Sequence, residues 1–140
     1  MKRILYMTVV LFLLFLSSTT YADNYSNVEV IEFNTGEDLR DEHTIASPSD
    51  KFSPETEVIY AGFETRGSLK GIPLVVRFIF TPIDYTVFTN ELLPDDWNMS
   101  SVTEGHMEYT KPDNGWPTGD YRIEISHNEE LIGTTEFEVK

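Results

Sequence analysis

From Glu57 onward the chain alternates. Val58, Tyr60 and Gly62 interleave with Ile59, Ala61 and Phe63, a period of two that puts apolar groups on both faces of a strand, as a strand between packed layers requires. Leu74 to Phe80 follows, with Val76, Phe78 and Phe80 on one face and Val75, Arg77 and Ile79 on the other. Branched and aromatic residues fill nearly every position there, and Pro73 and Pro82, unable to donate to a ladder, bracket the run. Near the end, Tyr121, Ile123 and Ile125 point one way while Arg122, Glu124 and Ser126 point the other; after Asn128-Glu129-Glu130, Thr135, Phe137 and Val139 alternate with Glu136, Glu138 and Lys140. Two strands with one apolar and one charged face predict a half-buried antiparallel hairpin. Shorter strands are predicted at Val28 to Phe33, Tyr85 to Thr89 and His106 to Thr110.

The intervening stretches are rich in Gly, Pro, Asn and acidic residues. Residues 34–53 read as a polar connector, in which Thr35 and Asp38 have capping-box spacing and predict one helical turn. Glu91 to Ser101 reads as a loop around Pro94-Asp95-Asp96. About seven short strands with turn residues between them and no amphipathic helix predict an all-β fold, an antiparallel β-sandwich over residues 28–140.

The start of the chain follows a different rule. Lys2 and Arg3 precede an apolar run from Ile4 to Leu16, and a small polar stretch ends at Thr20-Tyr21-Ala22. These three zones are those of a secretory signal peptide. The apolar run is shorter than the ~20 residues that cross a bilayer. We therefore expect residues 1–22 to be a cleaved signal peptide, Asp23 to start the mature chain, residues 23–27 to form a short tail, and no membrane anchor to remain. The expected location is periplasmic or extracellular.

Cleavage would remove two of the cations, moving the formal charge from −14 to −16. Such a charge repels phosphate backbones and argues against nucleic acid as a partner. The sequence has no cysteine, so the sandwich is expected to stand on its core alone.

Residues 111–121, Lys-Pro-Asp-Asn-Gly-Trp-Pro-Thr-Gly-Asp-Tyr, carry the most specific local signal. Pro117 fits the second position of a type I turn and Gly119 the fourth. Tyr121 is placed like the corner tyrosine of immunoglobulin-like folds, whose hydroxyl reaches back to upstream backbone, with Trp116 as a lid on the core. Phe52-Ser53-Pro54, Val58-Ile59-Tyr60-Ala61, Thr65-Arg66-Gly67, the stretch Gly115 to Ile125, Gly133 and Phe137-Glu138-Val139 together resemble a bacterial exported immunoglobulin-like domain. The resemblance implies a seven-stranded sandwich and brings no catalytic residue with it.

Candidate chemistry is sparse. His43, His106 and His127 lie far apart in sequence without metal-ligand spacing, and His127 is expected as a solvated strand-end residue. No Gly-x-Ser-x-Gly or comparable motif positions a nucleophile. Asp95-Asp96 and Asp113-Asn114 read as turn residues, with no twelve-residue calcium loop. We expect no enzyme activity, cofactor or metal. Tyr85, Phe88 and Trp97 place large apolar groups in or beside irregular segments and are the candidate partner-binding residues. The expected function is an exported module that binds a protein partner; the first alternative is an exported β-sandwich that inhibits an enzyme through its loops, and behind it stands a hydrolase whose site carries no recognised motif.

Overall fold

A computed structural model of the chain describes residues 27–92 and 102–140. Its strands are β1 (Glu29–Gly36), β2 (Lys51–Phe52), β3 (Val58–Arg66), β4 (Leu74–Phe80), β5 (Tyr85–Leu92), β6 (Val102–Thr110), β7 (Gly119–His127) and β8 (Glu130–Val139), with one 3-10 turn at Thr81–Ile83. One sheet has the order β1-β3-β6 and the other β2-β8-β7-β4-β5. Every pairing is antiparallel except β2 with β8. The fold is all-β, in two layers. The cut expected after Ala22 lies outside the described residues, as do Trp97 and most of the loop from Glu91 to Ser101.

Alternation builds the core. On β7 Tyr121, Ile123 and Ile125 are buried, and on β8 Phe137 and Val139 join them; from the other sheet come Ile59, Ala61, Phe63, Met107 and Tyr109. Phe78, fully buried, sits among aromatic rings: its centroid lies 4.4 Å from Tyr109, 5.4 Å from Tyr121, 5.7 Å from Phe137 and 6.0 Å from Trp116. Each large side chain buried in this way stabilises the fold by roughly 1.5–3 kcal/mol. The β7–β8 hairpin closes through Asn128 and Glu129, both with positive φ (51° and 64°), the backbone of a two-residue primed turn.

The structure departs from the sequence pattern at four places. No helical turn forms at Thr35: β1 runs on to Gly36 because Thr35 Oγ1 donates to the Ser49 carbonyl at 2.6 Å and the Ser49 amide returns a bond to the Thr35 carbonyl. The connector is thereby pinned along β1, is bridged to itself at Leu39–Ile45, and adds the short β2 alongside β8. The hydrogen-bonded turn near the corner is Pro112 to Gly115, the Gly115 amide donating to the Pro112 carbonyl at 2.8 Å, and Gly119 instead opens β7 with φ +144°. His127 is buried, not solvated; its Nε2–H donates to the Leu69 carbonyl at 3.0 Å, which satisfies the ring inside the sandwich end. Lastly, the charged face of the hairpin is only partly open. The Glu124 side chain, 15% exposed, accepts from Arg122 Nε at 2.8 Å and from Arg77 Nη1 at 3.5 Å, an ion-paired clamp joining β7 to β4.

Candidate binding surface

The corner at the start of β7 holds one end of the sandwich. The Trp116 indole donates to the Thr56 carbonyl at 2.8 Å, and the Trp116 amide donates to the Pro54 carbonyl at 2.9 Å, which lashes the 111–118 loop to the loop before β3. The Tyr121 hydroxyl donates to the Pro117 carbonyl at 2.7 Å, and burial pushes its pKa up to about 12. Gly119 is needed for space as well as for its φ: a Cβ there would meet Phe80 Cε2 at 2.8 Å. Trp116 and Tyr121 are buried and Pro117 is exposed, so these residues shape the fold and offer little to a ligand.

The surface that stands open is β5. The 3-10 turn Thr81–Ile83 ends at Asp84 in the left-handed region (φ 49°, ψ 45°), and the chain returns alongside β4 with Tyr85 opposite Phe80 and Leu92 opposite Leu74. A bulge at Val87 shifts the register, so that Ile79 faces Thr86 but Phe78 faces Phe88. Without that extra residue Phe88 would lie on the outer face. With it, Phe88 turns inward at the open side of the core, stacked on Tyr109 at 5.6 Å and 5.9 Å from Phe78, while still 44% exposed. Tyr85 is 60% exposed and Ile83, which the sequence pattern did not single out, 71%. Val87 is half-buried against the core. Between Thr81 and Asn90 the only charged side chain is Asp84, in a chain a quarter of whose residues are charged. β5 ends its sheet and pairs with β4 alone among the described residues, so its other backbone edge is unpartnered there.

A second grouping lies on the outer face of the three-stranded sheet. On β6 the inward residues are Thr103, Gly105, Met107 and Tyr109, so Glu104, His106 and Glu108 face out. Glu32, Glu64 and Glu104 stand directly opposite one another across β1, β3 and β6, a row of carboxylates beside a shallow cleft of about 180 Å³ that is also lined by Arg40 and His43. The 39–45 loop folds over this face because β3 carries Gly62 there: the His43 carbonyl lies 2.9 Å from where a Cβ would be. Asp41 Oδ1 accepts from the His43 and Thr44 amides at 3.2 and 2.9 Å and shapes the loop. His43 and His106, which are 63 positions apart, are thereby brought together with 2.9 Å between their Nδ1 atoms. Burial, and then the charge of His43, hold the His106 imidazole below its ordinary pKa.

No family model and no curated protein matches the chain in sequence. Among solved structures, the chain is similar to an immunoglobulin-like protein from Pseudomonas aeruginosa, with TM-score 0.54 and 16% identity, covering 82% of this chain and 98% of that one. A likeness to a Pseudomonas fluorescens alkylpurine DNA glycosylase bound to DNA has TM-score 0.48 and 12% identity, covering 83% of this chain and 31% of that one, too weak to bear on this chain. The chain therefore has an immunoglobulin-like β-sandwich fold. In the lettering of such domains, β1-β3-β6 correspond to A, B and E, and β8-β7-β4 to G, F and C, with β5 as the added strand at the C edge.

Proposed function

We propose that the protein is an exported, non-enzymatic binding module that docks an extended segment of a protein partner along β5. The observation that carries this reading is the edge strand of the five-stranded sheet, aromatic, uncharged from Tyr85 to Asn90 and unpaired among the described residues. Sheet edges that are not used for pairing are guarded by lysine, proline, inward charges or a bulge. From Tyr85 to Asn90 this edge carries the bulge at Val87 but no lysine, proline or charge. An added partner strand would gain affinity from main-chain hydrogen bonds, and the exposed rings of Tyr85 and Phe88 would supply selectivity. Desolvation would cost little there, whereas the outer faces of β7 and β8 present Arg122, Glu136 and Glu138.

The test is photo-crosslinking from Thr89 in the exporting host, followed by affinity measurement with the captured protein. Phe88→Ala, Tyr85→Ala or Trp97→Ala should weaken binding by roughly 2 kcal/mol or more with the fold intact. A chelator should leave this binding unchanged. A partner held at full affinity by all three variants would place the interface elsewhere.

A further inference from the structure

We propose that His43 and His106 form a binding site for a divalent transition metal ion on the outer face of the three-stranded sheet, at the opposite layer from β5. Their Nδ1 atoms are 2.9 Å apart and their ring centroids 5.2 Å, so the two nitrogens meet between the rings, nitrogen to nitrogen. An imidazole nitrogen is either a donor or an acceptor. The pair therefore holds together only through one proton shared between two lone pairs. A cation that accepts both lone pairs at once takes that proton's place.

The distances suit it. Imidazole nitrogens bind such ions at about 2.0–2.1 Å, which sets two of them about 2.9 Å apart at a right angle and about 3.3 Å apart at the tetrahedral angle. The separation changes by only a few tenths of an ångström to reach either, and the rings turn so that both lone pairs meet about 35–45° off the line between the nitrogens. Both rings are half-buried, and His43 rides on the 39–45 loop, so one side can give. The surroundings are anionic: Glu42 Oε1 lies 3.9 Å from His43 Nε2, and the charges of Glu108 and Glu42 act on His106. Among the described residues no group of three ligating side chains forms. The site is thus a two-histidine site, with water filling the remaining positions, and it selects ions that favour imidazole, Cu(II), Ni(II) and Zn(II), over hard cations that want oxygen.

The experiment titrates the tag-free full chain with CuCl2 and with ZnCl2, read by calorimetry, by the histidine ring resonances in NMR for Zn(II), and by nitrogen superhyperfine structure in the EPR spectrum for Cu(II). One equivalent should bind, with two coupled nitrogens. His43→Ala and His106→Ala should each weaken it on the order of 100-fold, at least what loss of an outer-shell partner costs. Circular dichroism checks that both variants are folded, and His106→Gln, which keeps the side chain's bulk without its ring, should fail in the same way. MgCl2 and CaCl2 in excess should not displace the ion. Absence of one-to-one binding, undiminished binding in the histidine variants, or displacement by Ca(II), which would transfer the ion to the glutamate row, overturns the proposal.

Discussion

The hydroxyl of Tyr121 can be removed almost without touching anything else. Its ring is stacked on Phe137 at 5.0 Å and packed against Phe80, Phe78 and Trp116, and phenylalanine at this position keeps all of these contacts. What Tyr121→Phe loses is the 2.7 Å bond to the Pro117 carbonyl. A neutral intramolecular hydrogen bond is worth roughly 0.5–1.5 kcal/mol net. Pro117 is exposed, so water reaches its carbonyl and the unmet acceptor adds little. We expect a loss of about 1 kcal/mol, or about 4 °C in Tm for a domain of this size. The pH dependence tests a second property, the burial that raises the phenol's pKa. The phenol titrates near 10 when unfolded and about 12 in the fold, so its contribution is fully present below pH 10 and is lost as pH rises toward 12. Phenylalanine does not titrate, and because two pKa units are worth about 2.7 kcal/mol, the gap of about 1 kcal/mol should close and then reverse over that window. Urea unfolding at pH 7 and at several points between 10 and 12 measures both quantities. A variant within about 0.5 kcal/mol of wild type, the range of an ordinary surface change, refutes the corner bond as a source of stability. A gap that ignores pH refutes the burial of the phenol.

Three further outcomes follow from the same geometry. Gly119→Ala, strained at φ +144° and driven into Phe80, should destabilise by about 1–3 kcal/mol in the same urea assay. Glu129→Gly in the β7–β8 turn should stabilise by about 1 kcal/mol, because it relieves a left-handed residue that is neither Gly nor Asn; an unchanged midpoint would contradict the turn assignment. Mass spectrometry of the protein from its own host should find Asp23 at the N-terminus, and recovery of intact Met1 in the membrane pellet would count against export.

Where one face of a strand is apolar and the other charged, the sequence alone located it. The β7–β8 hairpin was readable to its turn because Ile123 and Ile125 alternate with Arg122 and Glu124, and a slip of one residue would have buried the charges. β4 was readable by composition. The length of β6 was not: Val102 to Gly105 extend it only because β3 is there to pair with, from Arg66 to Phe63. The aromatic character of 85–88 was visible, but the bulge at Val87 was not, and parity counted from Tyr85 therefore mislays Phe88. β2 is two residues long and owes its strand to a parallel neighbour from the far end of the chain. The His43–His106 pair has no sequence signature at all. It depends on which face β6 turns outward and on a glycine at position 62 that lets a distant loop lie flat on the sheet.

The row Glu32, Glu64 and Glu104 has a consequence for how these molecules crowd. Like charges directly opposite on neighbouring strands cost the isolated domain some stability. Two copies meeting through this face would set one such row against another inside the ~8 Å over which physiological salt leaves charges unscreened. The part of this face that the 39–45 loop leaves open is thus disfavoured as a contact between copies where salt is modest.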